Sequence, residues 1–184
     1  FLAEHGTWYV SFNEESQKPH RAFGAPIPVA GANALEQAKN FIDNELSSFG
    51  VSSDNLEVFA SPTTKKHEWV NFHQLHEGLS VMNSRMVVKI ANGQVIMFGA
   101  DVYDNIEVNT APSFDAIGAA SYASADMTND ITSIEMMGGA KILAIPTFRS
   151  HEDHLVYEIM VKTMGEFNIP AHYYTILDAH DGTV

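Results

Sequence analysis

The sequence predicts an α+β fold of two small lobes, each an antiparallel β-sheet packed with a helix. Residues 69–99 are typical of three consecutive strands joined by two short turns, and a strongly periodic helix precedes them at 33–49. The strand–helix–strand alternation that builds parallel sheets does not occur. The 184 residues, 45% of them hydrophobic, suffice for one large or two small domains with real cores.

The charge of the chain restricts its partners. Ten Lys and Arg residues stand against 23 Asp and Glu, a formal net charge of −13. No basic footprint is available to displace counterions from a phosphate backbone or to bind an anionic membrane. We therefore expect no nucleic-acid and no membrane partner. The chain has no cysteine, which excludes disulfides, thiol nucleophiles and cysteine-ligated zinc.

The first elements precede the central strands. Residues 7–12 are rich in β-branched and aromatic types and predict a strand, whereas the prolines of 14–28 predict a loop or an irregular extended segment. The helix at 33–49 is predicted to end at Gly50, and 56–60 to form a short strand. The helix prediction rests on apolar residues three and four positions apart: Leu35, Ala38, Phe41, Ile42, Leu46 and Phe49.

The strand at 84–91 shows the alternation of a half-buried strand. Its two predicted faces carry Met86, Val88 and Ile90 on one side, and Arg85 and Lys89 on the other.

Two features follow this strand. Asn92-Gly93 predicts a tight hairpin, because both central residues of a type I′ turn need positive φ. Residues 102–108 are predicted to add one more extended segment and to close the first lobe.

A lobe boundary is predicted at 109–112, where a proline and small polar residues interrupt the pattern. Ser113 is a candidate N-cap for a short helix at 114–125. Three strands are predicted after it, at 141–145, 155–162 and 172–179. In 155–162 the predicted faces are Leu155, Tyr157, Ile159 and Val161 against Glu158 and Lys162.

The sequence pattern of residues 69–99 is similar to that of one family. A Gln in a strand is followed by a turn Gly, then by Val-x-x-Ser, an apolar strand and a Gly hairpin. This order resembles the fungalysin/thermolysin propeptide module found upstream of secreted zinc metallopeptidases. The matching positions are Gln74, Gly78, Val81, Ser84, Val87, Val88 and Gly93.

The end of the chain resembles a PepSY module, whose last strand runs into Asp-Ala-x-x-Gly-x-hydrophobic. The matching positions are Asp178, Ala179, Gly182 and Val184. The two resemblances together imply a propeptide-like lobe at 1–109 and a PepSY-like lobe at 110–184, with cystatin-like and PepSY-like folds. Asp-Ala-x-x-Gly also describes any strand that ends in a tight turn.

The resemblance implies that the chain is the proregion of a secreted zinc metallopeptidase and not itself an enzyme. Its partner would be the cognate catalytic domain, whose folding it assists and whose activity it blocks. No catalytic residue, metal site or cofactor is implied in this chain, whereas zinc and calcium are expected in the peptidase domain. The inhibitory contact is expected near the junction with that domain, at or beyond Val184. The alternative is a free-standing secreted module that acts as a peptidase inhibitor or surface adaptor.

From the residues alone, Gly78 is interpreted as a positive-φ turn residue, and Gln74 and Ser84 as side chains that satisfy backbone groups of turns or edges.

The histidines are candidate metal ligands. In His151-Glu152-Asp153-His154 the second His stands three positions after the first, whereas a zinc peptidase helix needs His-Glu-x-x-His. His73 and His76 have odd spacing on a strand and therefore point to opposite faces. Neither pair predicts a metal site.

Two groups of carboxylates lie in or near predicted turns: Asp101, Asp104 and Glu107, and Asp178 and Asp181. Calcium prefers such oxygen ligands, but neither group has a complete ligand set, which favours turn formation. No Gly-x-Ser-x-Gly nucleophile elbow and no phosphate-binding glycine loop occurs.

Overall fold

A computed structural model describes residues 1–14, 16–148 and 150–184, and the chain divides into two compact units. The first unit comprises Phe1–Ile106 and Pro146–His151, and the second comprises Glu107–Ile145 and Glu152–Val184. The predicted α+β class with two antiparallel sheets is confirmed. The limits of the two modules inferred from the resemblance remain a prediction.

The first unit is built on a sheet of seven strands, in the order β1-β2-β7-β6-β4-β3 with the short β5 paired to β4. All these pairings are antiparallel. Its elements are α1 (Leu2–His5), β1 (Trp8–Phe12), β2 (Pro19–Pro28), α2 (Ala34–Glu45), β3 (Leu56–Ala60), β4 (Glu68–His76), β5 (Leu79–Ser80), β6 (Arg85–Ala91) and β7 (Gln94–Asp101).

Helix α2 covers one face of this sheet, where it contacts β4 and β6. The predicted faces of β6 are confirmed, since its core-facing residues are fully buried beneath the helix. Burial of this apolar surface is the main stabilising term of the unit. The largest buried side chains here are Phe41, Ile42, Leu46, Val70, Phe72, Met86, Ile90 and Phe98.

Of the two alternatives predicted for 14–28, a loop is wrong for the second part, because Pro19–Pro28 are extended and form the strand β2. Strand β2 pairs with both β1 and β7. Its prolines lie at the two ends of the strand and between Phe23 and Ile27, where the register shifts and β2 is not paired with β7. Proline is tolerated at such positions because no N–H is needed there.

The helix predicted for 33–49 begins as expected but ends earlier. Asn33 caps it by accepting a hydrogen bond from the Glu36 N–H at 3.0 Å. The α-helix ends at Glu45, and Ser47–Phe49 form a separate 3₁₀ turn that ends at Gly50, with φ of 71°. The predicted hairpin is confirmed, with φ of 50° and 72° at Asn92 and Gly93. The extended segment predicted for 102–108 is not continuous and forms no strand, because β7 ends at Asp101 and Asn105 has φ of 50°.

The second unit contains a four-stranded sheet, in the order β11-β10-β8 with β9 paired to β10. Helix α3 packs against β8 and β11. The elements are α3 (Ala116–Ser124), β8 (Asp130–Met136), β9 (Lys141–Thr147), β10 (Ser150–Met164) and β11 (Pro170–Asp178).

Asp115, not Ser113, caps α3. The Asp115 carboxylate accepts hydrogen bonds from the N–H groups of Ile117 and Gly118 at 3.1 and 3.0 Å. Ser113 instead donates its backbone N–H to the carbonyl of Ala179 at 2.9 Å. The cap therefore lies two residues later than the sequence suggested.

Two strands of the second sheet differ from the prediction. Strand β8 was not predicted, since its side chains are mostly exposed and show no apolar alternation. Strand β9 passes through Pro146 instead of stopping there, which is possible because β9 pairs on one side only.

Glu158 departs from the predicted pattern of β10. It lies on the face opposite Tyr157 and Ile159, as predicted, but is only 9% exposed. Its carboxylate pairs with the Lys141 ammonium and accepts a hydrogen bond from the Tyr174 hydroxyl. A buried carboxylate is tolerated here because both of its oxygens have partners.

Candidate functional site

Most of the residues singled out in the first unit lie at one end of its sheet, whereas Gly93 lies beyond the other end of β6. Gln74, near the end of β4, is 7% exposed. Its side-chain Nε2 donates to the Tyr103 carbonyl at 2.7 Å, and its Oε1 accepts from the Tyr103 N–H at 2.8 Å. The Gln74 amide thus makes the two hydrogen bonds that the backbone of a neighbouring strand would make with Tyr103. These bonds hold the segment that follows β7.

Ser84 and Val81 complete the same arrangement. The Ser84 hydroxyl donates to the Val81 carbonyl at 2.7 Å and accepts from the Gln74 N–H at 2.8 Å. The Val81 N–H donates to the Gln74 carbonyl at 2.9 Å, and the Val81 side chain is 2% exposed. Gln74 and Ser84 therefore both bond backbone groups. We call Gln74, Val81, Ser84 and Tyr103 the glutamine clasp.

Two glycines shape the hairpins on either side of β6. Gly78 has φ of 82° and lies in the turn that joins β4 to β5. Gly93 occupies the left-handed region in the hairpin between β6 and β7. Such φ values are disfavoured for residues with a Cβ. The diagnostic value of these positions for a family remains a prediction.

A depression of about 240 Å³ lies beside the clasp, and Gln74, His76, Tyr103 and Asp104 contribute to its lining. Asp104 is not a free ligand, because the buried Lys18 Nζ contacts its carboxylate at 2.5 Å. The same Nζ donates to the Phe49 carbonyl at 2.7 Å.

In the second unit Asp178 organises the turn that follows β11. Its Oδ1 accepts from the N–H groups of His180 and Asp181 at 2.7 and 3.3 Å, and its Oδ2 lies 3.0 Å from the His154 Nδ1. Burial acts to raise the pKa of this carboxyl. The hydrogen bonds from His180, His154 and Asp181 outweigh burial, and the pKa of Asp178 is lowered below its ordinary value of 3.8.

Gly182 lies in the same turn, with φ of 78°. A Cβ at this position would lie 2.5 Å from Cδ1 of Tyr122 on α3. The absence of a side chain at Gly182 therefore lets the Tyr122 ring pack against the turn. The Gly182 N–H also donates to the Asp178 carbonyl at 3.0 Å.

The histidines considered as metal ligands take other roles. His154 is paired with Asp178, and the His151 ring contacts that of Tyr103 at 5.2 Å. The His73 Nε2 lies 2.9 Å from a Glu57 carboxylate oxygen. The acidic residues are also engaged: the Asp101 carboxylate lies 2.8 Å from the His20 Nδ1, and the Asp181 Oδ1 accepts from the Thr183 N–H at 2.8 Å.

Sequence reasoning missed one cluster of potential metal ligands. Within residues 1–14, 16–148 and 150–184, ligand atoms of Glu4, His5 and Glu45 lie within 4.8 Å of one another. The His5 Nε2 already contacts the Glu45 carboxylate at 2.6 Å, so the pair is satisfied as an ion pair when His5 is protonated. No local spacing could have revealed the cluster, because Glu45 lies forty residues from His5.

The comparisons with known proteins relate the chain to a protease. No family model matches it. The chain is 23% identical over 188 residues to the thermostable neutral protease NprT of Geobacillus stearothermophilus, a match that covers 95% of this chain and 33% of the protease. The chain thus spans about a third of the length of this curated relative, and the matched part is its N-terminal region.

Among solved structures, the YpeB C-terminal domain of Bacillus megaterium matches with a TM-score of 0.40 and 16% identity, over 95% of this chain and 73% of that one. In the described part of the chain, none of the helices has the length and apolar character needed to span a bilayer.

Proposed function

We propose that this chain is the proregion of a secreted zinc metallopeptidase, which assists folding of the catalytic domain and holds it inactive until cleavage. The observation that carries the proposal is the alignment of 95% of the chain with the N-terminal region of the protease NprT. The fungalysin/thermolysin propeptide pattern in residues 69–99 supports the same function.

The physical basis is binding linkage. A secreted protease must be kinetically stable, and a high barrier to unfolding can accompany slow folding. A segment that binds the native-like catalytic domain, and not its unfolded chain, favours folding by mass action. The same complementary surface can cover the active site until proteolysis removes the segment.

The two compact units suit such a role. A template must itself be folded, and each unit has its own sheet and its own buried residues. The glutamine clasp and the Asp178 turn each fix the backbone at one end of a sheet. Rigid elements preserve a binding surface at little entropic cost on association.

Catalysis is assigned to the partner and not to this chain. We accordingly assign zinc and calcium to the peptidase domain. The pairings of His154 with Asp178, His73 with Glu57 and His5 with Glu45 support this assignment, because each of these groups already has a partner.

Inhibition of NprT tests the proposal directly. Purified chain is added in increasing amounts to active NprT, and casein hydrolysis is measured. We expect dose-dependent inhibition by the wild-type chain. A Val88→Asp chain is the matched control, because a charge at this fully buried position should unfold the first unit. Equal protease activity with and without wild-type chain at every ratio would contradict the proposal.

The alternative is a free-standing secreted inhibitor or adaptor module. The gene sequence past Val184 separates the two. A downstream domain with a His-Glu-x-x-His motif is expected for a proregion, whereas a stop codon or a sorting domain there would favour the free-standing module.

A further inference from the structure

The face of the first sheet that points away from α2 is unusually aromatic. We call it the open face. One row of directly opposed residues crosses it through four strand pairings. The members of this row are Tyr9, Phe23, Met97, Lys89 and Trp69. Side chains of this row alternate with the buried residues of the core face, as the pleat of a sheet requires.

Large apolar side chains of the open face are exposed. Tyr9 is 63% exposed and Phe23 is 49% exposed, and their ring centroids lie 5.1 Å apart. Phe59, on β3, is 54% exposed and stacks on His73. Single exposed apolar residues are ordinary, but rows of neighbouring aromatic residues mark interaction surfaces.

Three cations lie on the same face: Arg21, Arg85 and Lys89. Arg85 donates to the Asn71 side-chain oxygen at 2.8 Å, and the Lys89 Nζ lies 4.5 Å from the centre of the Trp69 ring. Among the described residues, none of the three cations contacts a carboxylate. Their charge is therefore available to a partner.

Two carboxylates share this face, Asp101 directly opposite Arg85 and Glu57 on β3, and each lies beside a histidine that is charged only when protonated. Asp101 pairs with His20 at 2.8 Å and Glu57 pairs with His73 at 2.9 Å. The open face thus carries three cations against the two carboxylates of Asp101 and Glu57, on a chain whose net charge is −13. This local reversal of charge is the electrostatic feature that a partner can recognise.

A depression of about 270 Å³ lies among these cations, and its lining includes Arg21, Trp69, Arg85, Gly99 and the acidic Asp101. Gly99 contributes to the space because no side chain projects from it. A Cβ there would lie 2.5 Å from the His20 carbonyl oxygen. An apolar floor between two arginines suits a carboxylate carried on a side chain.

We propose that the open face docks a carboxylate-rich protein surface, which belongs to the catalytic domain of the partner peptidase. This inference rests on the proposed function. The aromatic row supplies buried contact area and the three cations supply orientation and rate of association. Face-to-face pairing of two copies of this chain is disfavoured, because it would bring the same cations together.

The test measures binding of the chain to immobilised NprT, by surface plasmon resonance with brief injections in the cold. One variant combines Arg21→Glu with Lys89→Glu, and a second replaces Phe23 by Thr, a residue that suits a strand. The control combines Lys65→Glu with Lys66→Glu, the same change of charge at two exposed lysines in the turn before β4. Circular dichroism establishes that all the variants fold.

We expect the wild-type chain to bind NprT with an affinity that falls as salt is added. Both face variants should bind at least about tenfold more weakly, and the control should bind with wild-type affinity. Wild-type affinity in both face variants would overturn the docking face and leave the proposed function intact. Absence of wild-type binding to NprT would overturn the proposed function, and the partner named here with it.

Two further experiments test whether the open face binds something other than the peptidase. Sedimentation of the free chain reports self-association, and a dimer that dissociates in the Arg21/Lys89 variant would assign the face to a second copy. Flotation with vesicles of anionic lipid reports membrane binding, and vesicle binding lost in the same variant would overturn the protein partner. We expect a monomer and no vesicle binding.

Discussion

The side-chain amide of Gln74 forms two hydrogen bonds with the backbone of one residue, Tyr103. One is donated to the carbonyl at 2.7 Å and one is accepted from the N–H at 2.8 Å. This pairing extends the hydrogen-bonding pattern of the sheet by one residue, after β7 has ended at Asp101. Loss of the amide would leave two backbone groups of Tyr103 without these partners.

We expect Gln74→Ala to destabilise the first unit by about 1–3 kcal/mol, the usual cost of an unsatisfied buried polar group. Urea unfolding followed by circular dichroism measures the change. Gln94→Ala, at the start of β7, is the control, and we expect it to change stability by roughly 0.5 kcal/mol or less. Equal stability of the two variants would show that the Gln74 bonds contribute nothing.

Two neighbouring positions of β6 test the register of the sheet. Val88 is fully buried and Lys89 lies on the open face. Val88→Asp buries an unpaired charge and should cost several kcal/mol, enough to unfold the first unit. Lys89→Asp should leave the fold nearly intact while it weakens docking to the peptidase. Similar unfolding midpoints for the two variants would show that the register is wrong.

Gly182 tests the fit between the last turn and α3. Gly182→Ala places a Cβ against the Tyr122 ring and puts alanine in the left-handed region. We expect a loss of about 1–2 kcal/mol from the backbone conformation alone, with a further loss from displacement of the ring. Gly139→Ala is the control, because its added Cβ meets nothing within 4 Å. The thermal midpoints of the two variants should differ by several degrees, and identical midpoints would count against the contact.

The pH dependence of the second unit follows from Asp178. Its pKa is lower in the folded protein than its ordinary value of 3.8, so the folded state favours the ionised form. The resulting stability is present above pH 3.8 and is lost as the pH falls through the folded pKa. Wild type should therefore be more stable than Asp178→Asn at neutral pH, and the difference should shrink in acid. A difference that stays constant between neutral pH and about pH 3 would contradict this assignment.

The sequence was most informative where local chemistry decides the structure. The alternation of Met86, Val88 and Ile90 predicted the buried face of β6, and Asn92-Gly93 predicted the hairpin. These signals depend on side-chain period and on backbone conformations that only a few residue types adopt readily.

The failures have a common physical origin in tertiary pairing. The prolines of 14–28 predicted a loop or an irregular extended segment, but pairing with β1 and β7 makes a strand of Pro19–Pro28. Strand β8 has little apolar alternation and exists because it pairs with β10. Contacts between residues distant in sequence, such as Gln74 with Tyr103 and His5 with Glu45, have no local signature.

The central claim is that this chain assists the folding of a metallopeptidase domain. The most direct measurement is the recovery of casein-hydrolysing activity when denatured NprT peptidase domain is diluted into buffer with the chain. Wild-type and Val88→Asp chains are compared at equal concentration, and activity is read after the bound chain has been degraded. We predict a higher yield of active protease with the wild-type chain than with Val88→Asp or without chain. Equal yields in all three samples would contradict the account.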